Sequence, residues 1–235
     1  MNFLSSIIKF LYRNRFWIIV VPIIVVIIVI LATGNLRKQY ESKTTIYTGI
    51  VSGYDIESGD GSVRYDWNLV NSTMGNLLEI ITSKATLNRV SMRLFAQHMM
   101  YGDPKNDNRY LMARTYNELI RIVPADVQAL IDKSSEDTTL ARLYAYQEAT
   151  PDNFIYGLFN WYHRHYSYDA LSKIQVRRIG NSDMIEISYT ADDPGVAYNT
   201  LVLLNEEFRE QYRELRYGET NNVIAYFEKE LARVG

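Results

Sequence analysis

The chain has 235 residues, 47% of them hydrophobic and 22% charged, a length that holds one sizeable domain or two small ones. It has no cysteine, which excludes a disulfide framework, a thiol nucleophile and a cysteine-ligated zinc site. Five basic and no acidic residues lie in 1–40, so residues 41–235 keep 20 basic against 27 acidic residues, a net of −7 that argues against nucleic-acid binding.

The first expected element is an apolar helix. Residues 16–33 (FWIIVVPIIVVIIVILAT) carry no charge, and 14 of these 18 are Phe, Ile, Val or Leu. At about 1.5 Å per residue they span roughly 27 Å, close to a hydrocarbon core. A buried core helix or a strand pair competes with that reading, and the length and lack of charge favour the membrane. Pro22 is tolerable in such a helix. Lys9, Arg13 and Arg15 precede the run and Arg37 and Lys38 follow it. The bias sets the N-terminus inside and the rest outside an inner membrane, crossed once.

Tyr40 to Val51 alternates loosely and predicts a strand, and residues 52–62 (SGYDIESGDGS) predict a loop. Asp66 is placed to cap a helix to Thr82, with Leu69, Met74, Leu77, Leu78 and Ile81 on its apolar face. Ser83 opens a second helix, through Met100, whose inner face is Leu87, Val90, Leu94 and Met99. After a break at 101–108 come short helical pieces: Tyr110 to Ile122, one opened by Pro124, one opened by Ser135 or Asp137, and one opened by 150–152 that runs through FIYGLFNWYHRHY. Ser172 to Ile179 and Met184 to Thr190 alternate around a four-residue turn and predict a β-hairpin. Asp192-Asp193-Pro194 then starts a helix of roughly 40 residues. Its apolar positions include Ala197, Leu201, Leu204, Phe208, Tyr212 and Leu215. A helix that long needs a partner.

These elements predict an α+β, membrane-anchored protein with one N-terminal transmembrane helix, a mixed α/β base with a helical insertion, and a long C-terminal helix forming half of a helical hairpin. The expected divisions are 1–15 a cytoplasmic basic tail, 16–36 the transmembrane helix, 40–100 the first part of the base, 101–169 the helical insertion, 170–192 the hairpin of the base, and 193–235 the long helix, which the natural chain continues.

No catalytic, cofactor-binding or metal site is expected. His163 and His165 are the only closely spaced histidines, and positions i and i+2 of a helix do not converge on a metal. His98 reads as a surface or interface residue. No G-x-S-x-G elbow and no G-x-x-x-x-G-K-[ST] loop occurs. Asp192 and Asp193 read as a helix cap, and Glu206 and Glu207 as a solvated face. The aromatic segment 154–168 supports two readings. Its Trp161, Tyr162 and Tyr166 are candidate contacts for a glycan, and helical spacing favours core packing instead.

The order of parts, and above all "LSKIQVRRIGNSDMIEISYTADDPGVAYNTLVLLNEEFREQY" running into a long helix, resembles the Wzz-type chain-length determinants, or polysaccharide co-polymerases. The likeness covers 1–100 and 170–235 in outline. Residues 101–169 depart from the short family core, and the family's second membrane helix is not found within these residues. The resemblance implies a non-enzymatic inner-membrane scaffold that regulates chain length or export of a surface polysaccharide (O antigen, capsule or exopolysaccharide). It implies a homo-oligomeric ring beside a polymerase or export machinery, with lipid-linked glycan, membrane lipid and a separate tyrosine kinase as neighbours, no nucleic acid and no cofactor. The alternative is a single-pass sensor or adhesion ectodomain that dimerises through its C-terminal helix.

Overall fold

A computed structural model describes residues 12–34, 38–49, 56–57, 63–64 and 67–213. The chain divides into two compact units, residues 1–38 and 39–235. Within the first, α1 (Arg15–Thr33) is a single helix with Pro22 inside it. Most of its apolar side chains from Phe16 to Leu31 are exposed.

The second unit is mostly helical, around a three-stranded antiparallel sheet. β1 (Tyr40–Tyr47) is followed by the two-residue strands β2 (Ile56–Glu57) and β3 (Val63–Arg64), which pair with each other. Then come α2 (Trp67–Thr82), α3 (Lys84–Tyr101), α4 (Ala113–Ile122), α5 (Ala125–Gln128), α6 (Glu136–Ala149), α7 (Phe154–Asn160) and α8 (Tyr168–Leu171). The hairpin β4 (Gln175–Arg178) and β5 (Met184–Ala191) follows, and α9 is described over residues 194–213.

The sheet order is β1-β5-β4. The central strand alternates most cleanly, with Ile185, Ile187, Tyr189 and Ala191 buried. A period of two puts that set on one face. Each fully buried Ile contributes about 1.5–3 kcal/mol relative to exposure. Against this face pack α2 through Val70, Met74, Leu77 and Ile81, α3 through Leu87, Val90, Leu94, Phe95 and Met99, and α9 through Ala197, Leu201, Leu204 and Phe208. The caps are local. Ser83 accepts a hydrogen bond from the amide of Thr86 at 3.1 Å, and Ser135 one from that of Thr138 at 3.2 Å.

Two helix starts are tied to distant chain. The Thr86 hydroxyl donates to the Ile80 carbonyl at 2.7 Å, and Gln211 of α9 donates to that hydroxyl at 3.1 Å. Asp193 caps α9, accepting from the amide of Gly195 at 2.9 Å, while its other oxygen accepts from the amide of Met112 at 2.8 Å. There the 108–112 segment lies so close that a Cβ on Gly195 would stand 2.2 Å from the Tyr110 carbonyl oxygen. We expect Gly195→Ala to destabilise the domain by about 2 kcal/mol through overpacking of backbone. A chemical-denaturation midpoint equal to that of the parent protein would contradict it.

The architecture corrects the expected one on several points. The α+β, membrane-anchored description gives way to a mostly helical protein with a small sheet. Among the described residues no helix is long and apolar enough to cross a membrane, so the N-terminal transmembrane helix is withdrawn, and with it the single-pass anchor. Within the expected loop at 52–62, Ile56–Glu57 form the strand β2, which pairs with β3. Pro124 caps a helix of only four residues rather than opening a longer one. The basic tail before residue 12, the Asp66 cap, the Leu69 side chain and the long helix beyond residue 213 lie outside the described residues.

Candidate functional site

Helix α7 ends at Asn160, and the segment 161–167 turns back under α3 instead of continuing as helix. Gly157 permits this. A Cβ there would stand 2.5 Å from the Trp161 ring, which lies on the helix backbone while its amide donates to the Gly157 carbonyl at 2.8 Å. The turn sends Tyr166 and His165 inward and leaves Trp161 and Tyr162 outside. Trp161 is 58% exposed and Tyr162 81%, whereas Tyr166 is 1% exposed. Tyr166 therefore cannot touch a glycan, a correction to its candidate role. The other two are accessible.

Inward, the turn builds a buried polar centre. The Tyr166 hydroxyl and Nδ1 of His98 lie 2.6 Å apart, both fully enclosed. His98, expected at the surface or an interface, is thus a core residue. Its Nε2 has no partner in hydrogen-bonding geometry. Burial first, and then the neighbouring His165 and His163, push its pKa down to about 3. His163 stacks on Tyr166 at 4.6 Å, and burial, then His165, lower its pKa to about 4. Burial holds the Tyr166 phenol far above its ordinary range. His165 Nε2 is 2.6 Å from Asp192 Oδ1, and Arg164 reaches Asp192 Oδ2 at 3.3 Å while also pairing with Glu118. Asp193 alone caps α9. Asp192, expected to share that task, instead fastens the 161–167 turn to the start of α9.

A second charged cluster joins three helices. Arg93 of α3 meets Glu136 of α6 at 3.3 Å and Glu206 and Glu207 of α9 at 2.8 and 3.1 Å. Arg89 adds a bond to Glu207 at 3.2 Å. Burial disfavours the Arg93 charge, but hydrogen bonds to Glu206 and Glu207 outweigh it and the pKa is raised. Glu207 is therefore a packing contact and not the solvated residue expected, whereas Glu206 pairs with Arg93 while its side chain stays 42% exposed.

Chemically, the arrangement favours holding over reacting. The His165–Asp192 pair has the form of an oriented base. It is enclosed, and among the described residues no serine or threonine hydroxyl is hydrogen-bonded to a histidine ring. Nor is any group of three or more His, Cys, Asp or Glu placed to hold a metal among them. The sequence reading set His163 and His165 on a helix because an aromatic run at helical spacing hides a helix end.

On the surface, α3, α6 and α7 border an open groove of about 380 Å³ lined by Lys84, Asn88, Gln147, Tyr156, Phe159 and Asn160. Sequence reasoning missed it. The only local signals are the i, i+4 spacings of Lys84 with Asn88 and of Tyr156 with Asn160.

No family model matches the chain, and neither curated proteins nor solved structures give a match. The functional reading rests on residues and geometry.

Proposed function

We propose that this chain is a scaffold without catalytic chemistry that acts, in several copies, on the chain length or export of a surface polysaccharide. The observation that carries the reading is the eight-residue antiparallel pairing of β1 with β5, from Tyr40 opposite Ala191 to Tyr47 opposite Met184. It sets the start of the domain beside the start of α9. The helix then runs the length of the sheet, so that the Tyr212 hydroxyl reaches the Thr48 carbonyl at 3.2 Å. The core thus fixes α9 so that its described end lies at the end of the sheet opposite its start. This fits the base-and-helix plan implied by the residue pattern at 170–213. At that far end Tyr47, Ile179 and Met184 leave apolar surface exposed, as a self-associating base requires. The proposal concerns the domain from residue 39 and needs no membrane span in this chain.

Deleting the gene tests it. The length distribution of surface polysaccharide on a gel is expected to shift or its amount to fall, with recovery on complementation. An unchanged distribution overturns the reading. Light scattering of the purified full chain is expected to give a multimer, and a monomer at micromolar concentration counts against it.

A further inference from the structure

The groove between α3, α6 and α7 combines three chemistries. Tyr156, 38% exposed, supplies aromatic surface, and the buried Phe159 backs the groove behind it. Asn88, Gln147 and Asn160 supply side-chain amides, each with donors on one arm and an acceptor on the other. Lys84 supplies a cation, its Nζ lying 5.9 Å from the Phe159 ring centre and 5.8 Å from that of Tyr168.

Much of this polar capacity is unspent. Among the described residues, neither the Asn88 nor the Gln147 side chain makes a hydrogen bond, and Lys84 has no ion-pair partner. Two unbonded amides lining the same groove as the Tyr156 ring match a sugar ring that has apolar C–H faces and hydroxyls around its rim. Binding grooves typically pair such apolar walls with a few convergent polar groups. A carboxylate on that ring would meet Lys84 in a charge-assisted hydrogen bond. Asn160, whose amide donates to the Tyr156 carbonyl at 3.0 Å, keeps its oxygen for a hydroxyl.

We propose that this groove binds a short segment of glycan and that Lys84 selects one bearing a carboxylate, such as a uronic acid. The inference rests on the polysaccharide reading and gives it a contact site. The ligand unit is small, because the groove has room for only one or two sugar rings.

Calorimetry of the full chain tests it, in a detergent without a sugar headgroup because the α1 side chains are exposed. The probes are an oligogalacturonate and a malto-oligosaccharide. The oligogalacturonate is expected to bind at about millimolar Kd and about fivefold more tightly than the neutral probe. Tyr156→Ala is expected to weaken both by about tenfold, and Lys84→Met to abolish only the preference. Asn88→Ala, a smaller change on a helix surface, is expected to weaken both, and melting curves of each variant verify the fold. Absence of heat with both probes overturns the site, as does equal binding by the parent and Tyr156→Ala. A preference that survives Lys84→Met overturns the role of Lys84. The two proposals fail separately. A gene deletion that alters the polysaccharide while the groove binds nothing removes the groove alone, and a deletion without effect removes the polysaccharide reading whatever the groove binds.

Discussion

The domain is expected to be less stable at pH 5 than at pH 7.5 by about 2 kcal/mol from His98 alone, and by up to about 4 if His163 titrates independently. The sign follows from which state binds protons. Unfolded, both rings titrate near 6.5. Folded, His98 resists protonation down to about pH 3 and His163 down to about 4. Between those values the unfolded chain holds more protons, so stability is present in full above about pH 6.5 and declines as pH falls toward 3. The groups facing the two rings are Tyr166, His165, Asp192, Asp193 and Arg164. Ordinary carboxylates stay ionised at pH 5 in both states, which keeps this window clean. Urea midpoints at the two pH values measure it. The control is His98→Leu. That variant leaves the Tyr166 hydroxyl buried without its partner, so it should lose about 1–3 kcal/mol at pH 7.5. It should also show a shallower decline toward pH 5. Adding Tyr166→Phe removes the orphaned hydroxyl and should recover part of the neutral-pH loss. A parent protein equally stable at both pH values would mean that His98 is not the enclosed neutral ring described above.

The features legible in the sequence are those set by a few adjacent residues. Ser83 and Ser135 were readable as caps because each bonds an amide three positions on. The β5 face was readable because Ile185, Ile187 and Tyr189 repeat every second position over a strand buried on one side. What was not legible was the choice a side chain makes among distant partners. Asp192 and Asp193 look alike as cap residues, yet one caps α9 and the other turns to Arg164 and His165. Glu206 and Glu207 read as solvent-facing until Arg93 arrives from more than a hundred positions upstream. The segment 154–168 has helical spacing throughout, but a glycine at 157 lets Trp161 fold back and end the helix. His98 lies in a helix buried on nearly every side, and only the packing of the 161–167 turn over α3 makes it a core residue. In the apolar run at 16–33 the helix was legible from composition, whereas the crossing assigned to it depended on a length near the lower limit for a membrane. Of the glycan candidates, Trp161 and Tyr162 kept their exposure and Tyr166 did not. Alternation between core and surface within one aromatic run cannot be assigned until the helix end is placed.

Replacing Arg93 is expected to have the largest single-residue effect on α9, a loss of about 3 kcal/mol for Arg93→Ala. One guanidinium there faces three carboxylates from two other helices, at 2.8–3.3 Å. Removing it leaves Glu136, Glu206 and Glu207 partly enclosed, with Arg89 the remaining cation on Glu207. Like charges at such range repel, and a partly desolvated carboxylate without its partner costs more than an exposed one. The loss should therefore exceed the usual 0–1 kcal/mol or so of a surface pair. Arg93→Lys should restore only part of it, because an ammonium cannot present the planar fork that reaches both Glu206 and Glu207. Adding Glu206→Gln and Glu207→Gln to Arg93→Ala should recover stability by removing the repulsion, which a merely steric role for Arg93 would not allow. Denaturation curves of the four proteins decide this. A consequence for the scaffold reading follows, because Arg93 bonds α9 one to two turns before Gln211 and Tyr212 tie it to Thr86 and Thr48. Loosening the first attachment leaves the described part of α9 held through Asp193 and through Gln211 and Tyr212. Hydrogen exchange should then rise along residues 201–209 more than along β5, and the Arg93→Ala chain should lose the polysaccharide phenotype at temperatures where its sheet is still folded.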